Sequence, residues 1–298
     1  MNQLLVTLRF FATGTFQLVV GDTFSIDKST VCRTVHRVTK VIASLHDKFI
    51  HFPTTTEECR QIMQIFYATS GLPGVIGAID CTHIPIQSPG GDDAENYRNR
   101  KGYFSINTQL VCDTTGYISN VVARWPGSVH DSTIFDHCQL RALLETRRLE
   151  GCLVGDGGYA CRSYMLTPIN NPTTPPQKAY NEAQIKARNC IERANGLLKR
   201  RFPALKYGMR LDIDNILPVI VATVVLHNIA VMVGDEEPED DDELAEFIRN
   251  KRHSDLTEMS INDLADVIPP TGSHMAAATS MRSAIISSHF TWTWTLIY

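Results

Sequence analysis

Two short apolar runs, each closed by an aspartate, limit this chain more than any other feature. Val75-Ile76-Gly77-Ala78-Ile79 ends at Asp80, and Gly151-Cys152-Leu153-Val154-Gly155 ends at Asp156. An unbroken apolar run of this length reads as a strand buried on both faces. Such strands need helices on either side, which points to an α/β core with a mixed sheet. A carboxylate at the end of a buried strand loses hydration and needs a partner or a proton. If the two strand ends are neighbours, like charge raises one pKa strongly, and a divalent cation relieves the repulsion. Mg²⁺ takes oxygen ligands and keeps waters. Two such ions can stabilise the attacking and leaving oxygens of a phosphodiester cleavage.

The remaining pattern agrees with an α/β domain over residues 74–233. Residues 105–113 and 117–124 read as strands joined by the hairpin turn Asp113-Thr114-Thr115-Gly116. Asp131 to Leu144 reads as one helix, opened by a cap at Asp131 or Ser132. Residues 168–177 hold four prolines and read as a loop, Asn181 to Phe202 as a long basic helix, and Ile216 to Val233 as a final apolar helix. Residues 51–73 read as a linker with one helix, Glu57 to Thr69. Residues 1–50 are helical: Leu4, Leu5, Leu8 and Phe11 recur at helical spacing, and a second helix runs through Val31, Val35, Val38 and Ile42 after a cap at Asp27 or Ser29. Its other face carries Lys28, Arg33, Arg37 and Lys40. Helix, turn and basic helix resemble a helix-turn-helix DNA-binding module; the alternative is a helical hairpin with a solvated basic face. The chain starts inside this pattern, so the module is expected to be truncated.

Composition excludes some classes. The eight cysteines are scattered without a C-x2-C pair, which argues against a zinc ribbon and for reduced, mostly buried thiols. The longest apolar stretch, Ile216 to Val233, is interrupted by Pro218, Thr223, His227 and Asn228, so no membrane helix is expected. The net charge of −4 argues against a nucleic-acid partner only until it is divided. Residues 181–210 hold eight basic and two acidic side chains, while residues 235–266 hold thirteen acidic and three basic. A basic working surface is therefore masked by an acidic tail. The tail, residues 234–298, is set aside from the fold as a solvated appendage, with Gly272-Ser273-His274-Met275 resembling a cloning scar.

Arg188, Glu192 and Lys199 share one face of the long helix. A carboxylate flanked by cations suits a phosphate-rich substrate; a surface salt-bridge row is the plainer reading. Gly77-Ala78-Ile79-Asp80-Cys81-Thr82-His83-Ile84, Trp125-Pro126-Gly127-Ser128-Val129-His130-Asp131-Ser132 and Gly155-Asp156-Gly157-Gly158-Tyr159 resemble, in order, the blocks of Harbinger-type transposases. Arg188-x3-Glu192-x6-Lys199 resembles their R-E-K helix, with Ile185 where a tyrosine often stands. Arg98-Asn99-Arg100-Lys101-Gly102-Tyr103 and Leu226-His227-Asn228-Ile229 resemble further family segments. The likeness spans about residues 1–233.

The resemblance implies a ribonuclease-H-like nuclease core preceded by a helix-turn-helix domain, with Asp80 on the first strand, Asp156 after the fourth and Glu192 on a late helix. It implies a metal-dependent DNA endonuclease or transposase in which Asp80, Asp156 and Glu192 bind two Mg²⁺ or Mn²⁺ ions. Asp131 is either a helix cap or supporting group, or a fourth metal ligand. Arg188, Lys199 and Arg200 are expected to meet DNA phosphates, with Arg98, Arg100, Lys101, Lys28, Arg33 and Arg37 as further contacts. His83 and His130 are expected to be structural, Cys81 and Cys161 not to be nucleophiles, and His227-Asn228 to be a buried hydrogen-bonded pair. The resemblance also implies double-stranded DNA and a Myb-like accessory protein as partners, a homodimer, and a nuclear location with some cytoplasmic presence. The competing functions are a catalytically silent DNA-binding or adaptor protein that keeps the fold, and a glycosidase with paired carboxylates, which the basic helix disfavours.

Overall fold

The computed structural model of the chain describes residues 2–14, 17–146, 149–238 and 272–291. Most of the acidic run and residues 292–298 lie outside the described residues.

Five strands form one mixed sheet in the order β3-β2-β1-β4-β5. Strands β1 (Val75–Pro85), β2 (Ser105–Cys112) and β3 (Ile118–Pro126) are antiparallel, whereas β4 (Cys152–Val154) and β5 (Met165–Leu166) run parallel to β1. Every β2 side chain is buried, as a central strand requires. The expected helix-flanked mixed sheet is present, with three differences. First, β1 does not stop at Asp80: Cys81 to Pro85 continue it because they pair with Ser105–Gln109 of β2. Second, Asp131 to Leu144 is two helices, α6 (Asp131–Asp136) and α7 (Gln139–Glu145). The chain breaks at His137, whose amide folds back onto the carbonyls of Thr133 and Ile134, and Cys138 Sγ then accepts from the Arg141 amide at 3.4 Å to start α7. Third, the long helix begins earlier. Two of the four loop prolines are its first residues, where a missing N–H costs nothing, so α8 runs Pro175–Arg201.

The N-terminal helices are α1 (Asn2–Thr13), α2 (Gln17–Phe24) and α3 (Lys28–Ala43), followed by a short α4 (His46–Phe49) and α5 (Thr56–Ser70). Glu58 and Thr55 cap α5 reciprocally, with bonds of 3.2 and 3.0 Å. Phe10, Phe11, Val31 and Val35 are buried in the same continuous core as the sheet and the last apolar helix, α9 (Ile213–Val233). Phe11 meets Phe202 edge-on at 6.4 Å.

By length and apolar composition alone α9 is long enough to cross a membrane. Its contacts explain it instead as the core helix. It packs on α3, α4 and β3. His227 Nε2 lies 2.9 Å from the Gly116 carbonyl. Asn228 accepts from the Ile118 amide at 2.8 Å and donates to the Ile118 and Phe49 carbonyls. The expected buried polar pair thus fastens α9 to the start of β3.

The sequence end also differs from expectation. Residues 272–291 form a helix, α10 (Gly272–Ile285), with a π-turn over Ile286–Phe290. Phe290 is buried edge-on against Tyr180 of α8 at 6.2 Å, so this segment is part of the fold.

Candidate active site

Strand register brings the two aspartates together. Ala78 of β1 pairs with Val154 of β4 in a parallel ladder. Asp80 lies two residues further along β1 and Asp156 two residues past Val154, just beyond the end of β4, close enough that the Asp156 charge bears on Asp80. Helix α8 lies across these strand ends and is tied down by three side chains of one face. Gln184 Nε2 donates to the Gly155 carbonyl at 2.6 Å, Asn195 Nδ2 to Asp80 Oδ2 at 3.1 Å, and Lys199 Nζ to Thr82 Oγ1 at 2.6 Å and the His83 carbonyl at 2.8 Å. Glu192 projects from the same face, paired with Arg188.

Asp131 joins the group from the first turn of α6. Asn107 of β2 donates to Asp131 Oδ1 at 2.9 Å and to the Val129 carbonyl at 2.8 Å. The preceding turn needs Gly127: a Cβ there would stand 2.6 Å from the Tyr97 carbonyl and press on Ser105.

The electrostatics report how crowded these acids are. Burial first, then the charges of Asp156 and Asp131, push the Asp80 carboxyl up to about 8 against the opposing pull of Arg188 and the Cys81 amide. Asp156 is also raised, first by burial and then by Asp131 and Glu192, while Arg188 and the Gly158 amide oppose. Burial likewise holds the Cys81 thiol well above its ordinary value, beside Tyr159 Oη at 3.4 Å, which removes it as a nucleophile. Several buried polar atoms around the acids lack any protein partner: Asn195 Oδ1, Gln184 Oε1, Asn107 Oδ1 and Arg188 Nε. Among the described residues no set of three or more His, Cys, Asp or Glu stands close enough to hold one metal ion. Glu192 is engaged by Arg188 and Asp131 by Asn107 instead.

The other cations are dispersed. Arg98 pairs with Glu95 at 2.7 Å, donates to the Gly102 carbonyl and stacks on Phe104 at 4.4 Å. Arg100 contacts the His130 ring, and Lys101 is exposed. His83 Nδ1 meets Ser105 Oγ at 3.0 Å. Lys28, Arg33 and Arg37 are exposed on α3, which packs against α1, α2 and α9, and Arg37 donates to Gln3 at 2.6 Å. Lys199, whose ammonium is bound into β1, should be a structural tether. Lys199→Met is expected to cost about 1–3 kcal/mol in urea unfolding, the usual penalty for stranding buried acceptors.

The start of the acidic segment lies on the end of α8. Asp235 pairs with Arg201, Glu237 approaches Arg200 at 3.9 Å, and Arg201 also donates to the Glu236 carbonyl. Replacing Asp235 and Glu237 by amides should remove these carboxylate charges from beside Arg201 and Arg200. DNA affinity is then expected to rise, with the salt dependence of log K steeper by about 1 per arginine that meets a phosphate, read by fluorescence anisotropy.

Sequence reasoning missed Gln184, Asn107 and Asn195. Asn195 was within reach, since it lies three residues past Glu192 on the Arg188 face. It also passed over Gly196, mid-helix in α8. A Cβ there would meet nothing within 4 Å. Glycine at such a position costs about 1 kcal/mol relative to alanine.

Residues 79–228 match the family of DDE superfamily endonucleases. The chain is 34% identical to the protein named "Putative nuclease HARBI1" of Rattus norvegicus over 237 residues, covering 78% of this chain and 68% of the relative. The Mus musculus protein of that name is 34% identical over 263 residues, covering 83% and 75%. "Protein ALP1-like" of Arabidopsis thaliana is 29% identical over 256 residues, covering 80% and 62%. No solved structure matches the chain significantly.

Proposed function

Because the chain belongs to the Harbinger-type DDE superfamily endonucleases, we propose that it cleaves phosphodiester bonds of double-stranded DNA with the aid of two Mg²⁺ or Mn²⁺ ions. Asp80, Asp156 and Glu192 are the proposed ligands. The observation that carries this reading is the register placing Asp80 beside Asp156 under a helix that presents Glu192.

The donor chemistry of these residues suits such ions once Glu192 leaves Arg188. Carboxylate oxygens are the hard donors that Mg²⁺ and Mn²⁺ prefer. The Asp80 carboxyl is raised to about 8, first by burial and then by the charges of Asp156 and Asp131, and a divalent cation at this place would favour its ionised form. Asn195 Oδ1 and Gln184 Oε1, buried without partners, are further unused oxygens at its edge. When bound, the ions would activate a water or a DNA 3′-hydroxyl and stabilise the leaving oxygen.

The chain's own part is to hold the carboxylates ready. Asn195 fixes Asp80 Oδ2, the Gly158 amide fixes Asp156 Oδ1 at 2.9 Å, and Asn107 fixes Asp131. Asp131 acts as a supporting acid that orients the α6 turn, with direct ligation as its second role. Arg188 balances the free acids and, once Glu192 turns to a ligand, faces the phosphate. In this reading α1–α3 form the helix-turn-helix surface, Lys28, Arg33 and Arg37 meet DNA, and the chain acts in the nucleus as a homodimer with a Myb-like partner.

The test is nicking of supercoiled plasmid in Mg²⁺ or Mn²⁺, comparing wild type with Glu192→Gln. Cleavage by wild type alone supports the nuclease. Equal cleavage by both points to a contaminant and removes the assignment. The second reading is a silent DNA-binding or adaptor protein, favoured by the engagement of Glu192 with Arg188 and by the absence of a ready ligand set among the described residues. Duplex binding without nicking by either protein would establish it.

A further inference from the structure

Nothing inside the fold asks for glycine at position 196. Its backbone is ordinary right-handed helix, and the space where a Cβ would stand is open. The helix therefore gives up stability for a reason that lies outside the chain. At 100° per residue, Gly196 falls on the outer face of α8, one turn beyond Glu192 and one turn before Arg200. Arg193 lies one turn before it, donating to the Thr114 carbonyl at 3.1 Å, and Asn189, Lys186 and Lys178 lie further back on the same side. Asn189, Arg193, Lys178 and Lys186 are all exposed. Glu182 is the one acid on this strip apart from Glu192 itself. The strip is continuous with the acidic site, and its charge is opposite.

We propose that Gly196 is a notch in which the sugar-phosphate backbone of a DNA duplex rests directly on α8, leading away from the reacting phosphate along Arg193 and Arg200. This rests on the nuclease reading and names the path of its substrate. The scale agrees. Arg200 lies about 12 Å along the helix axis from Glu192, the rise of three to four nucleotides in one strand of B-DNA. A side chain at 196 would lift the backbone away from the exposed Arg193, and from Arg200 once a phosphate displaces Glu237. The charges beside the notch supply attraction, and the missing Cβ supplies the close approach.

The experiment measures binding of a fluorescent duplex by anisotropy across a salt series, for wild type, Gly196→Ala, Gly196→Leu, Arg193→Gln and the Gly196→Leu/Arg193→Gln pair. Thermal unfolding with and without Mn²⁺ is recorded for each. The expected result has Gly196→Ala melting at or above wild type, because alanine favours helix, and both glycine variants keeping the Mn²⁺-induced shift. Duplex affinity falls with side-chain size, by about tenfold or more for Gly196→Leu. Arg193→Gln lowers the salt slope by about 1, and adding it to Gly196→Leu lowers the slope little further, because both act on one track. Wild-type affinity in Gly196→Leu overturns the proposal while leaving the nuclease reading intact. So does a loss of affinity accompanied by loss of the Mn²⁺ shift or of the fold in both glycine variants. A wild-type protein that binds no duplex overturns the nuclease reading itself, and the proposal with it.

Discussion

Replacing Asp80 by asparagine is expected to make the metal-free protein more stable at pH 8 and nearly inactive. The folded carboxyl titrates at about 8, against an ordinary value of 3.8. A group raised in the folded state contributes most below its ordinary value, and that contribution is lost as pH climbs to the folded value. Wild type should therefore weaken steadily from about pH 4 to pH 8. Each unit corresponds to about 1.4 kcal/mol, so the loss is on the order of 5 kcal/mol, spread over acids that share protons. Asparagine keeps the shape, still accepts from Asn195, and cannot ionise. Its advantage should be near zero at pH 4 and amount to roughly 5–15 °C in Tm at pH 8 in EDTA. Plasmid nicking should fall by at least about 100-fold, since even groups that only support a metal ligand cost 10–100-fold. A pH-independent difference between the two proteins would mean that Asp80 is not the charge the fold suppresses.

This trade of stability for chemistry explains which parts of the molecule were legible in the sequence. Asp80 and Asp156 were visible because an acid at the end of an apolar run contradicts its surroundings. Their adjacency was not, because it depends on the Ala78–Val154 pairing, which no local pattern encodes. The same limit hid the second half of β1. Thr82 and His83 look like loop residues until Thr108 and Asn107 are set opposite them. Strand β5 has two residues, too few for any periodicity. The helix break at His137 and Cys138 came from local carbonyl and thiol capping, which a run of helix-compatible residues conceals. The start of α8 was placed too late because Pro175 and Pro176 read as loop. The Gln177 side chain, accepting from the Thr173 and Thr174 amides, marks the true N-terminus. The docked segment around Phe290 was missed for another reason: its partner Tyr180 lies 110 positions away.

On the proposed two-metal reading, the same buried acid would make metal binding and proton release one event. At pH 7 Asp80 is largely protonated in the metal-free protein. A divalent ion needs the carboxylate, so binding must expel that proton. Mn²⁺ affinity is therefore expected to rise by up to about tenfold per pH unit between pH 6 and pH 8, and to level off above the Asp80 pKa. Calorimetry in two buffers of different ionisation enthalpy reads the proton directly, at close to one released per site at pH 7 and few at pH 9. Arg188 tests the account from the other side. Its guanidinium pulls both Asp80 and Asp156 down and holds Glu192. Arg188→Gln should push the two aspartates higher and move the pH at which Mn²⁺ affinity levels off upward, while removing the Arg188 partner of Glu192. The direction of that shift separates two roles. If the curve moves up, Arg188 is the internal counter-charge that keeps this acidic site folded before the ions arrive. If it does not move, the arginine acts on Glu192 alone, and burial and neighbouring charge raise Asp80 and Asp156 without it.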